Sequence, residues 1–276
     1  MPYAESNGTK IYFEVRGTSG PPLVMIRGFA SPIWTWNGVD HDLASDHVTV
    51  VLDNRGVGRS SVPRGTYNAA CMADDVATVL NHAELDSAHV LGTSLGGMIA
   101  QELALRHPRR VRSLVLVGTT PGNTGGFPLR PQGVLALAAA SVAPAQIRSR
   151  LVAYATLSPA ARIAKSKADD SSADTPPRTR TALAGLVGQA FAIFGHKAGE
   201  RLASIRVPTL VVHGEFDNLI DQKYARQLAQ IIPAAQLETW SEAGHDLATE
   251  SPQRLADTVR RHVRQAMALN GSAVTG

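Results

Sequence analysis

The stretch HVLGTSLGGMIA at residues 89–100 constrains the fold of this chain more than any other segment. Its apolar start predicts a strand, Gly92 and Gly96 predict a sharp turn, and the apolar residues that follow predict a helix. Ser94 stands at the tip of that turn, where the start of the helix favours a developing negative charge. We therefore predict that Ser94 is a nucleophile; the alternative is a serine that caps the helix in a glycine-rich turn.

Short apolar runs alternate with helical patterns over most of the chain. Such runs are typical of strands buried on both faces of a parallel sheet, with helices as the crossovers between them. The Asn7-Gly8 turn followed by KIYFEV predicts a hairpin at the start. We predict a mostly parallel, eight-stranded sheet flanked by helices. Its buried runs are LVMI (23–26), VTVVL (48–52), HVLG (89–92), SLVLVG (113–118), TLVVHG (209–214) and QLETW (236–240).

The alternation stops between residues 121 and 205, a segment rich in Ala and Leu without a clear strand pattern. It contains a polar interruption, KADDSSADTPPRTR, at 167–180. Apolar helical patterns lie on both sides of that interruption, which favours a helical cap with a flexible middle over a disordered linker. We predict an α/β core made of residues 1–120 and 206–276, with a helical cap, or lid, at 121–205.

A serine hydroxyl is a poor nucleophile at neutral pH, so it needs a base and a carboxylate that orients the base. In α/β sheets, functional groups collect at the carboxyl ends of the strands. Glu215 and Asp217 follow the run TLVVHG, and a Gly-His loop after QLETW offers His245. The order Ser94, Asp217, His245 is the one that a nucleophile on a strand-to-helix turn requires. We predict that these three are catalytic, and prefer Asp217 to Glu215.

These motifs make the chain resemble the α/β-hydrolase superfamily over nearly its full length. The resemblance rests on GTSLGG, GEFDNLI and EAGHDL, and on LDNRGVGRSS (52–61), which is similar to that superfamily's Asp-x-Arg-Gly-x-Gly-x-Ser loop. The run GMIAQELALRHPRRVRSLVLVGT is similar to esterases, enol-lactone hydrolases and related bacterial members with a helical cap. The resemblance implies the α/β-hydrolase fold and is much less specific for a substrate.

The resemblance also implies an oxyanion hole made of two backbone N–H groups. One belongs to Leu95, after the predicted nucleophile, and the other to Phe29 in the loop after the third strand. Relatives usually carry His-Gly here, whereas this chain has Arg27 and Gly28. Both are predicted to border the substrate, and Arg27 would then bind an anionic group on it. The alternative, which we favour, is that Arg27 braces the loop by hydrogen bonds to backbone carbonyls.

Two tryptophans, Trp34 and Trp36, lie just beyond this loop. We predict that they line the substrate pocket, with packing in the core as an equally weighted alternative. Together with the apolar residues of the cap, they favour a hydrophobic or aromatic acyl compound over a sugar or a highly charged substrate.

Composition and charge restrict the partners. The chain is 44% hydrophobic and 18% charged, and its net charge of +4 comes from 27 basic and 23 acidic residues. No basic block with interleaved aromatics occurs, so binding to nucleic acid or a membrane is not expected. The single cysteine, Cys71, excludes an intrachain disulfide, and the lack of a signal-peptide pattern leads us to expect a cytoplasmic protein. A small-molecule substrate is the expected partner, and a homodimer is left open.

Two further motifs are weighed and set aside. The Gly56-Val57-Gly58 run suggests a dinucleotide loop, but Ser61 occupies the third glycine position and Val62-Pro63 follows in place of a helix. His213, Glu215 and Asp217 alternate like metal ligands, but no further ligand accompanies them. We therefore expect neither a metal nor a cofactor.

Three functional hypotheses follow. The main one is a cofactor-independent serine hydrolase, a carboxylesterase or lactonase, which cleaves an ester or lactone of a hydrophobic or aromatic small molecule through an acyl-enzyme. The second keeps the scaffold but changes the reaction to C–C bond hydrolysis, perhydrolysis as in cofactor-free haloperoxidases, or biosynthetic lyase or cyclase chemistry; Arg27 motivates it. The third is a non-catalytic protein that binds a small molecule, against which the complete set of Ser94, Asp217 and His245 argues.

Overall fold

A computed structural model describes residues 2–122, 129–168 and 181–272 of the chain. Its strands are β1 (Tyr3–Ser6), β2 (Thr9–Arg16), β3 (Pro22–Ile26), β4 (Val48–Leu52), β5 (Ala88–Thr93), β6 (Val111–Val117), β7 (Thr209–Gly214) and β8 (Ala235–Trp240). They form one sheet in the order β1-β2-β4-β3-β5-β6-β7-β8.

Helices lie between most of these strands. They are α1 (Val39–Leu43), α2 (Ala69–His82), α3 (Leu95–Arg106), α4 (Pro131–Val142), α5 (Ala145–Thr156), α6 (Pro159–Ala168), α7 (Leu183–Phe194), α8 (Gln222–Ile231), α9 (Leu247–Glu250) and α10 (Pro252–Ser272). Short 3₁₀ helices cover Ile33–Trp36, Pro108–Arg110 and Gly199–Ser204. No helix in the described ranges is long and apolar enough to cross a membrane.

The pairing of the strands confirms the predicted sheet. β1 and β2 form an antiparallel hairpin in which Ser6 pairs with Thr9 across the Asn7-Gly8 turn. β2 also runs antiparallel to β4, whereas the six strands β4, β3, β5, β6, β7 and β8 all run parallel to one another. The described sheet is therefore eight-stranded and mostly parallel.

The apolar runs of the central strands are continuous because both faces of the sheet are covered. Along β3, Leu23 and Met25 belong to the hydrophobic cluster that contains residues of α1 and α10. Val24 and Ile26 belong to the other cluster, which contains residues of α2, α3 and α8. Successive side chains of a strand point to opposite faces, so a strand with two covered faces is apolar at every position.

The last strand differs from the expectation that QLETW is a buried run. β8 lies at the edge of the sheet, next to β7 only. Gln236 and Leu237 are exposed there, and Trp240 is the buried end of the strand. The side chains of an edge strand have a neighbouring strand on one side only, so more of their surface stays open to solvent.

The parallel strands all have their carboxyl ends on the same side of the sheet. The predicted site residues lie in the loops that follow these ends. Ile26 pairs with Leu52 and with Gly92, and Thr93 pairs with Val117. The loops after β3, β4, β5 and β6 therefore leave the sheet side by side. Carboxyl ends of parallel strands are the usual place for a site in an α/β fold.

Between β6 and β7 the structure describes four helices, α4 to α7, in the segment predicted to be a cap. A short bridge between Gly122 and Lys197 joins its two ends, and another between Leu129 and Ile220 joins its beginning to the loop after β7. The polar interruption at 167–180 lies, from residue 169 onward, outside the described residues. The predicted domain bounds remain a prediction.

Candidate active site

Ser94 occupies a strained turn between β5 and α3. Its φ of +55° and ψ of −119° form a combination that residues with a Cβ rarely adopt. Its N–H donates to the carbonyl of Val117 at 2.9 Å. A Cβ at Gly92 would lie 2.4 Å from the carbonyl oxygen of Gly96, so the turn cannot close with a larger residue. The Ser94 side chain makes no capping hydrogen bond to any described residue of the helix, which does not fit the capping alternative.

Asp217 and His245 are in direct contact after β7 and β8. His245 Nδ1 lies 2.7 Å from Asp217 Oδ2. The other carboxylate oxygen accepts the N–H groups of Leu219 and Ile220, at 2.7 Å and 2.8 Å, which fixes the carboxylate in its loop. Glu215, the rival carboxylate, is exposed. Because Nδ1 donates to Asp217, Nε2 of His245 is left as the basic nitrogen.

The ring of His245, which follows β8, reaches back to the end of β6, the strand next to β5 and its Ser94 turn. A Cβ at Gly118, directly after β6, would lie 3.3 Å from His245 Nδ1. Gly118 follows Val117, whose carbonyl accepts the N–H of Ser94. The fold therefore joins His245 to Asp217 and places both on the side of the sheet where the Ser94 turn lies; the catalytic roles of the three residues remain a prediction.

Electrostatics makes His245 a stronger base. Burial opposes its protonation, but the charge and hydrogen bond of Asp217 outweigh burial, so the pKa of His245 lies above its ordinary value of 6.5. Burial acts to raise the pKa of Asp217, and the charge of His245 holds that pKa below its usual value. His213 Nε2 lies 3.5 Å from Asp217 Oδ2. Burial lowers the pKa of His213, so this neighbour is neutral beside the pair.

The pH dependence of activity follows from the raised pKa. In the ester hydrolysis predicted from the sequence, His245 must be neutral to accept a proton, so kcat/KM for a small aryl ester is expected to fall as the pH drops through an apparent pKa above 6.5. That value belongs to the His245–Asp217 pair, because the two groups titrate together. A pH–rate profile from pH 5 to 9 measures it. An acid limb centred below 6.5 would contradict this assignment.

The loop after β3 lies against the predicted nucleophile. A Cβ at Gly28 would lie 3.0 Å from Ser94 Cβ and 3.6 Å from its Oγ, so glycine permits this close approach. The N–H groups of Phe29 and Leu95 have no hydrogen-bond acceptor within the described part of the chain. Leu95 follows Ser94 directly and Phe29 follows Gly28, so both N–H groups remain the predicted donors of an oxyanion hole.

Arg27 is buried in the protein and its described partners are side chains. Nε donates to Thr35 Oγ1 at 2.9 Å, and both terminal nitrogens lie 3.3 Å from Asp246 Oδ1. The guanidinium also lies 5.0 Å from the centre of the Trp36 ring. Asp246 follows His245 directly, so Arg27 connects the loop after β3 with the loop of the histidine. This arrangement matches the brace hypothesis, except that carboxylate and hydroxyl oxygens replace the expected backbone carbonyls.

The two tryptophans have different environments. Trp36 is fully buried in the hydrophobic cluster that contains Leu23 and Met25, so it packs in the core and its predicted place in a pocket is not supported. Trp34 is 37% exposed. Both lie in the 3₁₀ helix Ile33–Trp36, in which residues two apart point to different sides.

The loop after β4 has a structural role. Asp53 accepts the N–H of Ile33 at 2.7 Å and that of Arg59 at 2.8 Å. A Cβ at Gly58, which has φ +59°, would lie 2.3 Å from the Asp53 carboxylate. The glycine that suggested a dinucleotide loop is thus needed to let the chain wrap around Asp53.

Sequence reasoning missed several residues that hold the site loops in place. Asn54 donates its side-chain amide to the carbonyl of Arg27 at 2.8 Å, and Gln189 of α7 accepts the N–H of Ala30 at 2.9 Å. The carbonyl of Thr156, at the end of α5, accepts the N–H of His245 at 2.9 Å. No local pattern marks Gln189 or Thr156, since their roles depend on where the cap helices dock. Asn54 lies inside the LDNRG motif, so its presence in the motif could have indicated a role in the site.

Comparisons with known proteins agree with this architecture. A family model of the alpha/beta hydrolase fold matches residues 21–252. The protein named "Putative carbamate hydrolase RutD" of Azorhizobium caulinodans is 32% identical over 258 residues, which cover 91% of this chain and 94% of that protein. The 2-hydroxymuconate semialdehyde hydrolase of Pseudomonas sp. strain CF600 is 29% identical, over 90% of this chain and 88% of its own.

Among solved structures, Est816, described as an N-acyl homoserine lactone degrading enzyme, has 28% sequence identity and a TM-score of 0.78. That match covers 94% of this chain and 99% of the Est816 chain. The observed fold agrees with the family model. The order Ser94, Asp217, His245 is the one expected for that fold. The chain belongs to the alpha/beta hydrolase fold family.

Proposed function

We propose that this hydrolase-family protein cleaves an ester or lactone of a hydrophobic or aromatic small molecule through a serine acyl-enzyme. The observation that carries the proposal is the strained backbone of Ser94, at φ +55°, together with a His245–Asp217 pair joined at 2.7 Å on the same side of the sheet. Residues with a strained backbone conformation of this kind cluster at active sites. The Ser94 side chain makes no capping bond to a described residue of α3, and the pKa of His245 is raised. Both features suit nucleophilic attack by the serine.

In the proposed reaction, Ser94 Oγ attacks the carbonyl carbon while His245 Nε2 takes the serine proton. The carbonyl electrons move onto oxygen, and the N–H groups of Phe29 and Leu95 bind that oxyanion. The tetrahedral intermediate collapses, the alcohol leaves with the proton from His245, and the acyl group stays on Ser94. Water, deprotonated by His245, then attacks the acyl carbon. The bond to Ser94 Oγ breaks, His245 returns its proton to Ser94, and the acid leaves. Asp217 keeps the histidine oriented and stabilises its protonated form.

The substrate class is supported by two kinds of observation. The relatives reported above carry names that refer to a carbamate, a semialdehyde and an N-acyl homoserine lactone, and two of these three are acyl compounds. The cap helix α7, with the sequence LAGLVGQAFAIF, is apolar over most of its length. Apolar walls with a few polar groups are typical of pockets for small hydrophobic ligands.

Labelling with a fluorophosphonate tests the proposal. The intact mass of the wild-type protein is expected to rise by one phosphonyl group, which peptide mapping should find on Ser94. Ser94→Ala should remain unlabelled and should lose about 10⁴-fold or more in kcat towards p-nitrophenyl butyrate, with an unchanged melting temperature. An unlabelled wild-type protein would support a non-catalytic binding role instead.

A substrate panel separates the alternative reactions. We expect turnover of p-nitrophenyl esters and of an N-acyl homoserine lactone to exceed that of 2-hydroxymuconate semialdehyde. Preferential turnover of the semialdehyde by a protein labelled at Ser94 would favour the C–C hydrolase alternative. The motive for that alternative was Arg27, whose guanidinium is engaged by Asp246 and Thr35.

A further inference from the structure

Gln189 is a fully buried polar side chain on the otherwise apolar helix α7. Burying an amide is costly unless both of its ends form hydrogen bonds. Here Oε1 accepts the N–H of Ala30 at 2.9 Å, and Nε2 donates to the carbonyl of Arg55 at 3.0 Å. Ala30 follows the third strand and Arg55 follows the fourth. One side chain of the cap segment thus joins two loops at the carboxyl edge of the sheet.

Two glycines of α7 let the helix approach closely enough for this contact. A Cβ at Gly185 would lie 2.1 Å from the carbonyl oxygen of Gly56, and a Cβ at Gly188 would lie 2.4 Å from the ring of Tyr67. Larger residues would push the helix away from the loop after β4. The position of Gln189 therefore follows from backbone contact between the cap segment and the core.

The bond from Ala30 controls the peptide that follows Phe29. Ala30 has φ +53°, a left-handed conformation that alanine disfavours and that needs outside support. The Ser31 hydroxyl donates to the carbonyl of Phe29 at 3.0 Å. The Phe29–Ala30 peptide is therefore hydrogen-bonded at both its C=O and its N–H. On the other side, Asn54 holds the carbonyl of Arg27. The N–H of Phe29 lies between these fixed points and has no acceptor among the described residues.

We propose that Gln189 is a positioning residue for the oxyanion hole: its bond to Ala30 sets the Phe29–Ala30 peptide and so aims the Phe29 N–H at the oxyanion. The proposal rests on the serine-hydrolase function proposed above. It gives the cap segment a part in stabilising the transition state, in addition to any contact with the substrate. Gln189 acts through the loop and does not touch the reacting atoms.

The test compares three variants of α7. Gln189→Leu removes both hydrogen bonds at similar size, and Gln189→Glu keeps an acceptor for Ala30 but loses the donor to Arg55. Val187→Ala, at a half-exposed position of the same helix, is the matched control. For p-nitrophenyl butyrate, Gln189→Leu is expected to lower kcat about 100-fold with KM within about threefold, since misplacing one oxyanion donor has that effect. Gln189→Glu should lose about tenfold or less, and Val187→Ala about twofold or less.

A transition-state analogue supplies the decisive readout. An aryl-alkyl trifluoromethyl ketone adds Ser94 Oγ to its carbonyl and leaves an oxyanion in the hole. Its Ki should rise in Gln189→Leu by the same factor as kcat/KM falls, because both report the same stabilisation. A purely structural role would instead lower the melting temperature and leave Ki and kcat of the folded fraction unchanged.

Further outcomes keep the two proposals separate. A folded Gln189→Leu protein with wild-type kcat and Ki, or with a raised KM alone, overturns the positioning role while fluorophosphonate labelling of the wild type upholds the serine hydrolase. A wild type that resists labelling overturns the function itself. Should Gln189→Leu not fold, Gln189→Met and Ser31→Ala replace it. Ser31→Ala frees the other end of the same peptide and should lower kcat about tenfold, and wild-type kcat in both would count against the proposal.

Discussion

Replacing Asp217 with asparagine is expected to lower kcat for an aryl ester by about four orders of magnitude, with little change in KM. Asparagine can keep the oxygen that accepts the N–H groups of Leu219 and Ile220, so the loop should hold its shape. Its amide nitrogen then faces His245 Nδ1 and donates to it. The proton of the imidazole must move to Nε2, where it blocks the acceptance of a proton from Ser94.

Glu215→Gln is the matched control for this prediction, because Glu215 is the other carboxylate after β7 and is exposed. Its kcat should stay within about twofold of the wild type. Single-turnover kinetics with p-nitrophenyl butyrate measures both variants, and circular dichroism checks the fold. Equal losses in the two variants would show that Asp217 has no special role in orienting His245.

The second large effect is expected when the Arg27–Asp246 ion pair is broken. Arg27→Met leaves the Asp246 carboxylate without its cation, and Asp246→Asn leaves a buried guanidinium without its anion. Each change should lower the free energy of unfolding by about 2–4 kcal/mol, near the low end for buried pairs because the Asp246 side chain is 22% exposed. The double variant should lose less than the sum of the two, since neither charge is then stranded.

The same variants are expected to shift the pH profile in opposite directions. Arg27 lowers the pKa of His245 and Asp246 raises it. Arg27→Met should therefore move the acid limb of kcat/KM to higher pH, and Asp246→Asn should move it to lower pH. Urea unfolding and pH–rate profiles measure the two effects. A raised KM for Arg27→Met with unchanged stability would instead identify the arginine as a substrate ligand.

Local sequence patterns were sufficient for the central elements of the fold. The run VTVVL coincides with β4, and the other central apolar runs agree with their strands to within one or two residues. Strands buried on both faces and a glycine-flanked serine leave strong local signals, because steric fit and burial dictate each residue in turn. The contact between Asp217 and His245 could be predicted because the two residues follow the neighbouring parallel strands β7 and β8.

The environments of Trp36 and Arg27 could not be read in this way. Nothing near Trp36 in the chain indicates that it packs under the guanidinium of Arg27 in the core. The partner of Arg27, Asp246, is 219 residues away, and that pairing depends on how the loops after β3 and β8 pack against each other. Side-chain contacts between the loops at the carboxyl ends of the strands leave no periodic pattern in the sequence. They therefore cannot be predicted from a single sequence.

The sequence by itself determined the α/β architecture, the serine turn and the order of the predicted catalytic residues. Each of these follows from local propensity or from the order of strands in a parallel sheet. Only the tertiary structure decided that Arg27 pairs with Asp246 and that Gln189 holds the loop of Phe29 from 159 residues away. Those contacts arise where the cap segment and the loops pack together, and packing between distant segments is a property of the folded chain as a whole.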